Sequence, residues 1–267
     1  MTTVAVFGCG LVGASLAGAL SAAGHRVLGA DRRDLSPLIE RGWLERQVSP
    51  DDLGEAEVVV LALPPSGVIG ALRRLPFRPG QLVTDVASVK APVEEAASGL
   101  PAGVAFVGGH PMAGGTGSGF EAARADLFDG AVWVLSAAGD AAGRRRLEEI
   151  VRQIGAEPLV IEARRHDRLV ALTSHLPQLL STALAAELAA VDDPLVERLL
   201  GPGGRSFLRL ARSPYTLWRD ILSLNRQEVE RALAAVAARA GQPPEALAEE
   251  FEAARALMDR EDPKTSG

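Results

Sequence analysis

Residues 4–31 read VAVFGCGLVGASLAGALSAAGHRVLGAD, and this stretch decides the fold. An apolar, β-rich run from Val4 to Phe7 leads into Gly8-Cys9-Gly10-Leu11-Val12-Gly13. An Ala/Leu-rich helix follows, and then a second short strand, Arg26 to Ala30, that ends in Asp31. Glycine at position 8 permits a tight turn. Gly10 lets the backbone approach a pyrophosphate, and Gly13 lets the helix pack closely on the strand. Leu11 and Val12 open the helix, whose free N–H groups and positive dipole end face the phosphates. A lone G-x-G-x-x-G is weak evidence. Here strand, turn, helix, strand and acid follow in the order and spacing of a dinucleotide-binding unit.

Asp31 is placed to accept hydrogen bonds from an adenosine ribose, and its charge would repel a 2′-phosphate, which favours NAD. Arg32 and Arg33 follow directly, and an arginine there can hold that phosphate, so NADP stays open beside NAD.

Beyond Asp31, short β-branched runs at Glu57–Ala62, Gln81–Val86, Val104–Gly108, Ala131–Ser136 and Glu157–Ile161 alternate with helical segments. The expected architecture is α/β: a Rossmann-like, doubly wound, mainly parallel sheet over residues 1–162. From about Ala163 the strands stop. Leu169, Leu172, Leu176, Leu179, Leu180, Ala183, Leu184 and Leu188 recur at helical spacing, and further helical runs cover Pro194–Leu200, Ser206–Ala211, Tyr215–Ala240 with a break inside, and Pro244–Met258. Residues 163–267 are therefore expected to form an all-helical domain whose wide apolar stripe packs on a second copy, giving a homodimer. The end, residues 261–267, is expected to fray.

The 267 residues carry a formal net charge of −6, which argues against a general nucleic-acid binder. A first strand starting almost at Met1 leaves no room for a signal peptide, and charges are expected to interrupt every long apolar stretch before it could span a membrane. The default location is cytoplasmic. The single cysteine, Cys9, excludes an internal disulfide and a multi-cysteine metal site, and reads as a packing residue inside the turn. No metal is expected.

In an open doubly wound sheet, ligands bind beyond the carboxyl ends of the strands. One such end runs into Asp85-Val86-Ala87-Ser88-Val89-Lys90. Another runs into Gly108-Gly109-His110-Pro111-Met112-Ala113-Gly114-Gly115. Pro92 suits the first turn of a helix, which puts Ser88 before the helix start and leaves its hydroxyl free. His110 lies between glycines and a proline, and an imidazole suits a proton acceptor at neutral pH, the group a dehydrogenase needs as hydride leaves a carbinol carbon. His175, in Ser174-His175-Leu176-Pro177-Gln178, falls on the apolar stripe of the long helix, where a histidine is usually a core residue. Pro177 nonetheless kinks the helix beside it, as the wall of a site would require. His166 and His25 lack such context and read as surface residues.

Taken together, GCGLVG at Gly8, DVASVK at Asp85, GGHPMAG at Gly108, EAARADLF at Glu121, SHLPQ at Ser174 and LARSPYTLWRDI at Leu210 closely resemble the prephenate/arogenate dehydrogenase family of tyrosine biosynthesis, over nearly the whole chain. The resemblance implies oxidative decarboxylation of prephenate to 4-hydroxyphenylpyruvate with NAD, or the equivalent reaction of arogenate. It implies His110 as acceptor of the C4 hydroxyl proton and Ser88 as the group that orients that hydroxyl, the histidine and the nicotinamide. It makes Arg209, with Arg205 one turn earlier, the partner of substrate carboxylates, and lets His175 face the substrate side chain. Two departures stand out. Residues 114–120 read GGTGSGF where relatives often carry charge, and the regulatory ACT and chorismate mutase domains of some relatives are not in the sequence, so tyrosine feedback would have to act at the active site. Three rivals are weaker. A β-hydroxyacid dehydrogenase generally needs a lysine in its helical domain, where only Lys264 stands; an imine reductase leaves His110 beside Ser88 unexplained; a non-catalytic NAD-binding redox sensor needs none of these side chains.

Overall fold

The computed structural model describes residues 1–115 and 117–261. Thr116 of the glycine-rich loop lies outside them, as does the end expected to fray, apart from its first residue, Glu261. In chain order the elements are β1 (Thr3–Phe7), α1 (Leu11–Ala22), β2 (Arg26–Ala30), α2 (Ser36–Glu40), β3 (Arg46–Gln47), β4 (Val58–Leu61), α3 (Pro65–Arg74), β5 (Leu82–Asp85), α4 (Ala91–Ala97), β6 (Ala105–Val107), β7 (Gly109–Pro111), β8 (Val132–Ser136), α5 (Ala141–Gln153) and β9 (Glu157–Ile161). Helices follow alone: α6 (Ala163–Val170), α7 (Leu176–Ala190), α8 (Leu195–Leu199), α9 (Pro202–Leu208), α10 (Tyr215–Leu224), α11 (Arg226–Ala240) and α12 (Ala248–Glu261), with 3₁₀ turns at Arg209–Arg212 and Pro244–Ala246.

Six strands form one parallel sheet in the order β3-β2-β1-β4-β5-β6, reversing direction of winding between β1 and β4. Alternation along each strand feeds two cores. Val4, Val6, Val58 and Val60 pack on one face with Leu16 and Leu20 of α1. Ala5, Val59, Leu61 and Val83 pack on the other with Val68, Leu72 and Val93. Each fully buried Val or Leu contributes roughly 1.5–3 kcal/mol. With both faces covered, the strands read as unbroken apolar runs rather than an alternating pattern.

The sheet differs from expectation in one respect. The runs at Ala131–Ser136 and Glu157–Ile161 do not extend it; β7-β8-β9 form a second, three-stranded sheet in which β7 and β8 are antiparallel and β8 and β9 parallel. His110 is consequently a strand residue, opposite Val134, and not part of a loop beyond a strand.

The Glu162 carboxylate accepts from the backbone N–H groups of Arg164 and Arg165 and starts α6. Between α6 and α7, Ala171–His175 form a wide π-helical turn. Pro177 has no N–H, and its ring crowds the carbonyl one turn back, so the helix widens there. Charges do not interrupt this helix as expected: residues 169–186 contain no Asp, Glu, Lys or Arg, and Ala163–Ala190 is long and apolar enough to cross a membrane by length and composition. One third of its most apolar window is buried inside the chain, against α11 among other elements. The helical half also reaches the nucleotide half: Ile221 of α10 completes the second core, and Ser66 of α3 donates to Asp220 of α10.

Candidate active site

Phe7, Leu61 and Asp85 are in register across β1, β4 and β5, and Val107 lies beside Thr84, so the segments that begin at Gly8, Ala62, Val86 and Gly108 all leave the sheet at one edge. At that edge the glycines divide the work as their spacing predicts. Gly8 takes φ +95°, and a Cβ there would stand 2.5 Å from the Ala62 carbonyl oxygen. A Cβ on Gly13 would overlap the Gly8 carbonyl oxygen. Gly10, by contrast, faces open space. Gly10 caps α1 without a side-chain hydrogen bond, which leaves the first-turn N–H groups, from Leu11 and Val12 onward, to a ligand. Asp31 closes the turn from β2, accepting from Cys9 N at 2.8 Å and Arg33 N at 3.0 Å. Burial alone would raise its pKa; the hydrogen bonds from Arg33 and Cys9 outweigh burial and hold it below the usual carboxylate range. These residues fit a dinucleotide: an uncapped helix start, space for a pyrophosphate, and an ionised acceptor at ribose distance in sequence.

The two arginines after Asp31 part company. Arg33 folds back on the turn, donating to the Cys9 carbonyl at 2.7 Å and lying over the Phe120 ring. Arg32 is exposed and forms no hydrogen bond or ion pair among the described residues. Cys9 is buried, and burial, with the Asp31 charge, pushes its thiol up to about 12, which keeps it inert.

A buried knot holds the other two segments. Asp85, fully buried, accepts from Lys90 Nζ, from Ala87 N at 2.9 Å and from Gly109 N at 3.1 Å; Lys90 Nζ also donates to the Gly109 carbonyl at 2.6 Å. One ion pair thus fixes both the segment bearing Ser88 and the strand bearing His110. Ser88 does not cap α4, as expected, and its half-buried hydroxyl makes no hydrogen bond among the described residues, to His110 or otherwise.

His110 is partly exposed, and its Nδ1 lies 2.9 Å from His166 Nε2. His166 is no surface residue. It is 2% exposed, and its Nδ1 meets Asp167 Oδ1 at 2.8 Å. The Asp167 carboxylate in turn accepts from Lys90 N at 2.7 Å and Ala91 N at 2.8 Å, capping α4 from the helical half of the molecule. Burial, then the neighbouring His166, Lys90 and His175, hold the His110 pKa well below its ordinary value, so its neutral form prevails at neutral pH. The chain after β7 turns back over the nucleotide turn, where Gly115 approaches Leu11.

His175 is 1% exposed, its Nδ1 accepting from Asn225 Nδ2 at 3.1 Å and its ring edge-on to Trp218. It lies in the interior, on the apolar stripe where its helical spacing puts it. His25 is half-buried and paired through Nε2 with Gln153 at 2.8 Å. Arg209 and Arg205 are exposed on the segment that packs on α7; Arg205 donates to the Glu197 carbonyl at 2.9 Å. No hydrogen bond or ion pair joins either arginine to Ser88 or His110. Among the described residues no three His, Cys, Asp or Glu are grouped to hold a metal.

Comparison with known proteins bears on this site. The family model described as prephenate dehydrogenase, nucleotide-binding domain, matches residues 16–159, and that described as prephenate dehydrogenase, dimerization domain, matches residues 162–257. A prephenate dehydrogenase of Lactococcus lactis subsp. cremoris is 31% identical over 84% of this chain and 65% of its own length. The chain therefore spans about two thirds of that relative. The prephenate dehydrogenase of Aquifex aeolicus, solved with hydroxyphenyl propionate and NAD+, superposes with a TM-score of 0.82 at 25% identity, covering 98% of this chain and 96% of that one. An arogenate dehydrogenase of Synechocystis gives 0.76 at 27% identity, covering 98% and 94%. With the two family models matching residues 16–159 and 162–257, around the buried polar knot and the strand histidine, the chain belongs to the prephenate dehydrogenase family.

Proposed function

We propose that this chain catalyses the NAD-dependent oxidative decarboxylation of prephenate to 4-hydroxyphenylpyruvate, with His110 as the proton acceptor. The observation that carries the reading is the placement of His110: partly exposed and anchored through Nδ1 so that Nε2 is free, with burial holding its pKa well below the ordinary value. NAD, bound at Gly8, Gly10, Leu11, Val12, Gly13 and Asp31, supplies the hydride acceptor. His110 takes the C4 hydroxyl proton as hydride leaves that carbon. It returns the proton to the same oxygen as the ring carboxylate departs as carbon dioxide and the ring becomes aromatic, so no net proton is consumed. Ser88, with an unengaged hydroxyl on the neighbouring segment, orients the substrate hydroxyl.

The two substrate carboxylates require fixed positive charge. Arg209 and Arg205 are the proposed source, since a guanidinium keeps its charge and matches a carboxylate as a planar fork. His175, sealed from solvent, supports the site from behind. Arginine at position 32, unpaired beside Asp31, keeps NADP within reach. The helical half is proposed to join a second copy of the chain. Leu172, Leu184, Leu199 and Phe251 are 50%, 44%, 79% and 74% exposed, and the matching family model is described as a dimerization domain.

Arogenate is the second substrate to consider, because the Synechocystis relative is an arogenate dehydrogenase. Formation of reduced nicotinamide by purified protein is the test, with prephenate and arogenate offered separately and NAD and NADP in turn. Rapid turnover of prephenate with NAD is expected. Silence in all four combinations while NAD still binds overturns the enzymatic reading.

A further inference from the structure

Resting on the reading of His110 as proton acceptor, the geometry points to His166 and Asp167 as positioning residues that fix which nitrogen of His110 is free to take the proton. One line of hydrogen bonds, from Asp167 through His166 to His110, sets the hydrogen on each ring. The Asp167 carboxylate has no proton to give, and both its oxygens already accept from the start of α4, at Lys90 N and Ala91 N. His166 Nδ1, 2.8 Å away, must therefore be the donor. A neutral imidazole that donates through Nδ1 offers a bare Nε2. His110 Nδ1, at 2.9 Å from that nitrogen, must then carry the hydrogen, and the lone pair of His110 stands on Nε2.

Were His166 to take up a second proton, the logic would reverse. Both its nitrogens would donate, His110 Nδ1 would have to accept, and His110 Nε2 would carry hydrogen and lose its function as a base. The charged and titratable groups around this pair are Lys90 and Asp85 from the segment between β5 and α4, Asp167 from α6, and His175 from the π turn. When His110 gains its proton, it remains a donor to His166, and the Asp167 carboxylate lies one ring further along. The device spans the two halves of the molecule: His110 belongs to β7, whereas His166 and Asp167 belong to the first helix after the last strand. Orientation of the base thus depends on correct seating of α6 on α4.

The test pairs kinetics with nitrogen-resolved NMR of the full-length protein. In the wild type the His110 imidazole is expected as the Nδ1–H tautomer; finding hydrogen on Nε2 overturns the proposal, whatever any variant does. His166→Phe, which keeps ring volume but removes the acceptor, is expected to lower kcat about 10- to 100-fold with KM for NAD and for the acid changed by less than about threefold. The acid limb of its pH–rate profile should shift, and the His110 tautomer should become mixed. His166→Gln, which restores an acceptor, is expected to recover part of kcat. Retained stabilisation by NAD shows that the variant is folded. An unaltered kcat in His166→Phe, with His110→Asn inactive, sinks the positioning role and leaves the base reading standing. An active His110→Asn sinks the base reading itself.

Discussion

His110 and His175 both lie close to charge and both favour the neutral form, yet they occupy opposite kinds of region. Around His110 every polar contact is directed: Nδ1 is tied to His166, the strand beneath is fixed by the Asp85–Lys90 pair, and part of the ring remains open. Around His175 the contacts close on themselves. Asn225 donates to its Nδ1 and to the Asp167 carbonyl, Trp218 covers its edge, and 1% of the residue is exposed. A lowered pKa alone does not mark a base. A free nitrogen with an outlet does, and only the first region supplies one.

The comparison breaks most simply at the two rings. His110→Asn is expected to cut kcat by about a thousandfold, within the usual range for loss of a general base, and to leave NAD binding intact. His175→Asn preserves an acceptor for Asn225 and should leave kcat of the folded enzyme within about threefold. Comparable losses in steady-state turnover for the two variants would erase the distinction.

The supports differ as much as the rings. Lys90 is 1% exposed, and its removal would strand the Asp85 charge beneath His110. Lys90→Met should therefore destabilise the protein by about 3–5 kcal/mol, read from urea midpoints, because a buried ion without its partner is far costlier than the intact pair. A loss below about 1 kcal/mol would mean that the pair is hydrated in solution.

For His175 the matching effect is one of pH. Burial, working against the Asp167 charge, lowers its pKa from 6.5 to about 4. As pH falls below 6.5 the unfolded chain binds a proton that the folded chain refuses until about pH 4, so stability drops across that window. The loss amounts to about 3 kcal/mol for this group. His110 acts in the same direction, so the two must be separated by substitution. Urea unfolding between pH 7 and pH 4 should show a shallower slope in His175→Asn than in the wild type; parallel slopes would show that His175 titrates normally.

How much of this was legible in the sequence follows from the range of the interactions. The turn from Gly8 to Gly13 and the acid at 31 were readable because the positive φ of Gly8, the close approach of Gly13 to the Gly8 carbonyl and the bond from Cys9 N to Asp31 all fall within one βαβ unit. The three-residue strand β7 was not, since Gly109, His110 and Pro111 have no strand pattern of their own and take that form only by pairing with β8, beyond a long loop. Pro177 announced a disturbance in the long helix, though not that a π turn would absorb it. His166 passed as a surface residue because its partner His110 stands 56 positions away. Asp85 and Lys90, five apart, share no face of a helix or strand, so nothing local declares them a pair.

The arginines test a third kind of place, outside both histidine regions. Arg209 is exposed, sits on the 3₁₀ turn after α9, and makes no hydrogen bond or ion pair among the described residues, so its removal should cost the fold almost nothing. If it holds a substrate carboxylate, Arg209→Ala loses a charge-assisted contact made equally in the bound and reacting states. The expected result is a rise of about tenfold in KM for the acid, with kcat and KM for NAD unchanged. A fall in kcat at constant KM would place its contact in the transition state and bring it into the group that works with His110. No change in either would leave it a solvated arginine, and the carboxylates would need another partner.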